Sequence, residues 1–180
     1  MKKTIFIFLC LSIFYQGFGQ KYFTKTGTLN FEASVPAFEP VKAENKSTTA
    51  ILDTNTGKIA VLALVKGFRF KNALMEEHFN ENYMESDTYS KATFNGEINH
   101  FSLDNLSYKK EFSVTGDLTI HGKTKQIEAV ITLKKDGDNF LLETQFSTAP
   151  GDFNIDIPGV VKEKISDKIN ITGSFELVKR

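Results

Sequence analysis

Hydrophobic and polar residues alternate along most of this chain with a period of two, most clearly over residues 112–133. Phe112, Val114, Leu118 and Ile120 alternate with Ser113, Thr115, Asp117, Thr119 and His121. Such a pattern marks a strand with one buried and one wet face. His121-Gly122-Lys123-Thr124 breaks the run, and glycine supplies the positive φ that a tight turn needs. Ile127, Ala129, Ile131 and Leu133 resume the alternation. Residues 112–120 and 126–133 are therefore predicted to form a β-hairpin.

The rest of the chain reads similarly. Residues 22–35 form a strand with Phe23, Leu29, Phe31, Ala33 and Val35 on one face, beside Lys25 and Gly27. Pro36 and Pro40 interrupt its pairing because proline has no N–H for the ladder. Residues 42–53 make a weaker strand that ends in the turn Asp53-Thr54-Asn55-Thr56-Gly57. Residues 58–70 are predicted as the third and most apolar strand. Ile59, Val61 and Val65 point one way, and Leu62, Leu64, Phe68 and Phe70 the other. A strand apolar on both faces needs cover on its outside.

The next segment is the candidate cover. Asn72 is placed to cap an amphipathic α-helix over about residues 72–84, with Leu74, Met75, His78, Phe79 and Tyr83 on its apolar stripe. Strands return at 88–98, 112–120, 126–133, 139–148 and 168–179, with Phe94, Phe140, Phe146, Ile171 and Phe175 among their inward positions. The fold class is thus all-β, with eight antiparallel strands and one helix. An open sheet of that kind has two exposed edges, and closure into a barrel removes them. A two-sheet sandwich is the alternative. Outward positions carry Lys, Thr, Glu and Asn where lipid would demand apolar residues, so a membrane-spanning barrel is not expected. Gly27, Gly67, Gly96, Gly116 and Gly173 fall in phase with the inward residues. They either let strands bend at barrel corners or leave room for a ligand. An eight-stranded barrel is near the size at which the interior just fills or holds one small molecule.

Composition refines this picture at the N-terminus first. Lys2 and Lys3, an apolar run over residues 5–14, and Gly17 and Gly19 before Gln20 make residues 1–19 a predicted secretory signal peptide, too short to span a membrane. Its removal leaves one domain, residues 20–180. The lone cysteine, Cys10, goes with it, preceded by none of the small residues that lipid attachment would want. The mature chain then has no thiol and no disulfide. Losing Lys2 and Lys3 from 22 basic residues leaves 20 against 22 acidic ones. Near-neutral charge without a basic run argues against nucleic acid or an anionic membrane surface as partner. Phe6, Phe8, Phe14 and Phe18 leave with the signal, so 13 of the 17 phenylalanines remain, enough to line a lipid-sized cavity or to fill it.

Candidate chemistry is sparse. His78, His100 and His121 lack metal-ligand spacing and have no cysteine to assist. His78 is expected to pack on the helix stripe and the other two to be solvated. No Gly-x-Ser-x-Gly, phosphate loop or dinucleotide fingerprint occurs. No catalytic residue, metal or cofactor is expected, and an enzyme is the weaker reading.

Thr115-Gly116-Asp117-Leu118-Thr119-Ile120-His121-Gly122-Lys123-Thr124-Lys125 resembles the central signature of the YceI-like family. His78-Phe79 with Ser86-Asp87-Thr88-Tyr89-Ser90-Lys91-Ala92-Thr93-Phe94 is similar to its other characteristic segment, with Ser90 where a proline is usual. Gly151-Asp152-Phe153-Asn154-Ile155 and Ile165-Ser166-Asp167-Lys168-Ile169-Asn170-Ile171 also match comparable stretches. Residues 34–45 depart from the pattern. The resemblance implies an exported, soluble, lipocalin-like antiparallel β-barrel, periplasmic or otherwise secreted. Some members of the family hold a polyisoprenoid chain or isoprenoid quinone inside it.

On that footing the expected activity is carriage or sequestration of an apolar, isoprenoid-type lipid. Phe68, Phe70, Phe94, Val114, Leu118 and Ile131 are candidate lining residues, as are Phe140, Phe146, Ile171 and Phe175. Leu74, Met75 and Phe79 either close one end of the barrel or cover the outside of the third strand. The rival reading is a non-enzymatic stress-response or interaction protein whose barrel is filled and whose loops, 34–45 and 148–162, do the work.

Overall fold

Alternation of this kind, repeated along the chain, builds a closed eight-stranded antiparallel barrel with one short helix. The computed structural model describes residues 20–104 and 106–180; the predicted signal peptide lies outside the described residues. The strands are β1 (Lys21–Ser34), β2 (Lys42–Asp53), β3 (Lys58–Leu64), β4 (Arg69–Phe70), β5 (Lys91–Ile98), β6 (Lys110–Ile120), β7 (Lys123–Asp136), β8 (Asn139–Thr148) and β9 (Ile165–Lys179), and the helix is α1 (Ala73–His78). Neighbours run β1-β9-β8-β7-β6-β5-β3-β2, and β2 pairs back to β1 to close the ring. The two-residue β4 lies beside the start of β2, beyond the end of β3.

The central hairpin is β6–β7. Ile120 pairs with Lys123, so His121 and Gly122 alone make the turn, at φ 50° and 70°. Positive φ at both positions matches the right-handed twist of the flanking strands.

Three expectations are corrected by the structure. First, β1 changes face along its length. Its register with β2 shifts on both sides of Gly27, a bulge that lets Tyr22 and Thr24 point inward before it and Leu29 after it. Tyr22 rather than Phe23 therefore joins the core.

Second, residues 58–70 are not one strand. The chain breaks into a 3-10 turn at Val65–Gly67 before β4. Asn45, fully buried, donates from Nδ2 to the Leu64 carbonyl (3.0 Å) and accepts from the Ser47 amide (2.8 Å). Gly67 lies against the same side chain, and a Cβ there would stand 2.6 Å from Nδ2. Gly67 thus serves a turn and not an inward strand position.

Third, the helix does not cover the outside of β3, where Leu64 is exposed. Asn72 Oδ1 accepts from the Leu74 and Met75 amides, as an N-cap should, but α1 ends at His78 and runs on as a π-turn, Phe79–Tyr83. Glu76 ties α1 to β4 by accepting from Arg69 (2.8 Å) and from the Phe70 amide (3.1 Å). Phe79 then packs on Phe31, Phe68 and Phe70 at centroid distances of 5.3, 5.8 and 5.1 Å. This aromatic cluster plugs part of one barrel end. The main core fills the other, where Leu52, Leu133, Leu142, Phe175 and Leu177 are almost wholly buried.

Candidate ligand-binding lumen

On β5, β7 and β8 inward side chains become more buried from the helix end to the opposite end, whereas on β1, β2 and β3 the helix end is already closed at Ala33, Asn45 and Ala63. Along β7 the series runs from half-buried Ile127 through Ala129 (6 % exposed) and Ile131 (2 %) to Leu133 (0 %). On β8 it runs from half-buried Phe146 to Leu142, and on β5 from half-buried Ala92 and Phe94 to Ile98. The barrel is packed shut at the end away from the helix and is looser at the helix end along β5, β7 and β8. A cavity of about 70 Å³ occupies the looser half, walled almost entirely by apolar atoms.

Phe94, Val114, Leu118, Ile131, Phe146 and Phe175 line this cavity. Phe140 lies deeper, against Tyr22 in the packed core, and Ile171 is buried on β9 without reaching the lining. Phe68, Phe70 and Phe79 belong to the aromatic plug. Met75 is half-buried and Leu74 is 56 % exposed; neither reaches the lumen. Leu29, Ile59, Val61, Ala63, Ala92, Ile127, Ala129 and Leu142 complete the apolar wall. Most stand in phase with inward neighbours, so alternation was the signal that marked them. Thr144 is in phase with Leu142 and Phe146 but polar, and Thr93 is out of phase, so neither was marked. Thr144 donates its hydroxyl to the Val130 carbonyl (3.0 Å) and turns its methyl toward Gly173.

The inward glycines do not leave empty space. The Phe175 ring lies over Gly27 and Gly173, where added Cβ atoms would come within 2.3 and 2.7 Å of it. The Phe94 ring lies over the cross-strand pair Gly96–Gly116, at 2.6 and 2.7 Å from the corresponding positions. Aromatic rings covering strand glycines recover packing that the missing side chains forgo.

The looser end also has a gap in its hydrogen bonding. The β7–β8 ladder ends at Val130–Gln145, so residues 123–129 pair with β6 alone. The 3-10 turn Pro150–Phe153 and Asn154 are tethered beside this gap. Lys125 pairs with Asp152 (2.7 Å), and Lys123 donates to Asn154 Oδ1 (3.0 Å). The Lys125 hydrogen bond and charge hold the Asp152 carboxyl below the usual carboxylate range.

His121 anchors the same rim, contrary to the expectation of a solvated side chain. Its Nδ1 lies 3.3 Å from the Phe153 carbonyl, its Nε2 3.3 Å from Glu85 Oε1, and its ring edge-on to Tyr89 at 4.4 Å. His78, expected to pack, is exposed instead. No group of three or more metal-ligating side chains occurs among the described residues.

A larger groove of about 490 Å³ lies outside the barrel, along β1, β2, β4 and β9. Glu32, Lys42, Glu44, Arg69 and Lys71 give it mixed charge, which suits an apolar chain poorly. The lumen is the better site.

Solved structures share this architecture. A polyisoprenoid-binding domain from Saccharophagus degradans, implicated in plant cell wall breakdown, superposes with a TM-score of 0.76 at 13% identity, over 89% of this chain and 99% of that one. BcnA of Burkholderia cenocepacia gives 0.69 at 18% identity, over 84% and 96%. The YceI protein of Campylobacter jejuni gives 0.63 at 18% identity, over 81% and 88%. At these identities the likeness shows the fold. No curated protein sequence matches the chain. The YceI-like domain model matches residues 21–177, nearly all of the barrel, and the chain belongs to the YceI-like family.

Proposed function

We propose that this protein is an exported, non-enzymatic carrier that holds the hydrocarbon chain of an apolar, isoprenoid-type lipid in the barrel lumen. The observation that carries the reading is the apolar cavity open toward the helix end and packed shut at the other. The polyisoprenoid-binding description of the Saccharophagus relative supports it. Transfer of methylenes from water into such walls contributes about 0.8 kcal/mol for each CH₂ before ordering costs, so few polar contacts are needed. Residues 1–19 have the make-up of an export signal, which would place the carrier in the periplasm.

A second reading has its own support. Phe94 and Phe175 occupy the space over the inward glycines, while Val160 (87 % exposed) and Phe38 present apolar side chains from the loops. A filled barrel acting through those loops would look like this. Native mass spectrometry of protein purified from its own host, followed by solvent extraction, separates the two. A stoichiometric adduct that extracts as a prenyl compound is expected of the carrier. A bare mass with no uptake of added isoprenoid quinone would shift the function to the loops.

A further inference from the structure

We infer, building on the carrier reading, that the lumen is a blind-ended measure of chain length that takes about two isoprene units and leaves the rest of any longer chain outside. The burial gradient locates the mouth and the stop. Ile127, Phe146 and Phe94 stand half-exposed at the mouth, and Ile131 and Leu142 stand nearly buried at the floor. Below the floor, Leu52, Leu133 and Leu177 have no exposure at all. Phe140 and Tyr22 seal that end edge to face at 4.6 Å.

Depth sets the upper limit, and the volume is smaller until a side chain at the mouth moves. Mouth and floor are two inward positions apart on β7, from Ile127 to Ile131, and likewise on β8, from Phe146 to Leu142. Each inward step spans about 6.6–6.8 Å of strand, and a tilt of roughly 40° reduces two steps to about 10 Å of depth. A hydrocarbon chain with bonds of about 1.5 Å advances roughly 1.2 Å per bond, so about eight carbons reach the floor. The cavity of about 70 Å³ holds on the order of five water-sized groups at ~10–15 Å³ each, room for about one isoprene unit, so the second unit needs Phe94 to move. Tilting Phe94 away from Gly96 and Gly116 adds room at the mouth and none at the floor.

The test is a series of prenyl alcohols with one to four isoprene units (prenol, geraniol, farnesol, geranylgeraniol), each displacing ANS from the protein. Affinity should rise by up to roughly 10³-fold from prenol to geraniol, which adds five buried carbons. From geraniol to farnesol, and again from farnesol to geranylgeraniol, it should change less than about threefold, where burial of five more carbons would give roughly 10³-fold. A rise that continues through geranylgeraniol overturns the length limit and leaves the carrier reading standing. Failure of every alcohol to bind overturns the carrier reading, and the limit with it. Leu142→Ala lowers the floor and should move the plateau out by about one isoprene unit. A folded Leu142→Ala whose plateau does not move also overturns the limit. If Leu142→Ala does not fold, Ile131→Ala removes as many carbons from the floor and supplies the same comparison, with farnesol gaining on geraniol.

Discussion

Gly116 and Gly173 share a face with the lumen but differ in what crowds them. A Cβ at Gly116 would stand 2.5 Å from the Asn95 carbonyl oxygen and the Gly96 Cα, both backbone of the paired strand. A Cβ at Gly173 would meet the Phe175 ring and the Thr144 methyl, which are side chains and not backbone. Gly116→Ala should therefore cost about 1–3 kcal/mol, the usual range for overpacking, and Gly173→Ala less. Urea unfolding of the two variants checks the order, and equal costs would contradict it. The phase of these glycines was legible in the alternation, but their occupants were not. Which ring lies over a glycine depends on side-chain direction across two or three strands. His121 shows the same boundary at a turn. Its place beside Gly122 marked a tight turn correctly, yet its partners Phe153 and Glu85 lie 32 and 36 residues away.

Helix α1 and the turn Pro150–Phe153 are the two elements that shape the open end, and each joins a few polar contacts to the packing of one phenylalanine, Phe79 and Phe153. Asn72 supplies the N-cap of a helix of only six residues. Asn72→Ala should cost about 1 kcal/mol and loosen the aromatic plug, seen as faster hydrogen exchange over residues 73–83. Unchanged exchange there would mean that Phe79 packing alone holds the helix. The second element responds to pH. Asp152 is held below its ordinary range by Lys125. Its contribution is therefore complete above the unfolded carboxylate value and is lost as pH falls through the lower, folded one. Acidification through the carboxylate range should weaken the Lys125–Asp152 pair, seen as NMR shift changes at Lys125 and Asp152, while buried Phe153 keeps the turn in place. Asp152→Asn should behave at neutral pH as the acid form does. The existence and cap of the helix could be read from Asn72 and its apolar stripe. Its position over the barrel end could not, because a strand apolar on both faces looks alike whether covered outside or broken. The break follows from Asn45, 22 residues before Gly67, and local periodicity carries no trace of that contact.

For the molecule as a whole, closure was legible because eight alternating strands leave no economical edge, and β1 meets both β2 and β9 as closure requires. The asymmetry between the two ends was not legible, since phase shows which residues face inward and not how tightly they meet. That asymmetry should appear in native-state hydrogen exchange. Residues 130–136 and 139–145 are laddered between β7 and β8 and sit over the packed end, so their amides should open only with global unfolding. Over residues 123–129, amides directed toward β8 have no ladder partner and should exchange through local opening. A prenyl alcohol in the lumen should slow exchange over 123–129 and 145–154 and leave 133–142 unchanged, because a ligand that ends at Ile131 and Leu142 adds nothing to a floor already closed. Uniform protection along β7 in the free protein, or protection spreading through Leu133 on binding, would place the opening elsewhere. The gap between β7 and β8 would then be a closed feature of the barrel wall, with the looser part of the rim at another pair of strands.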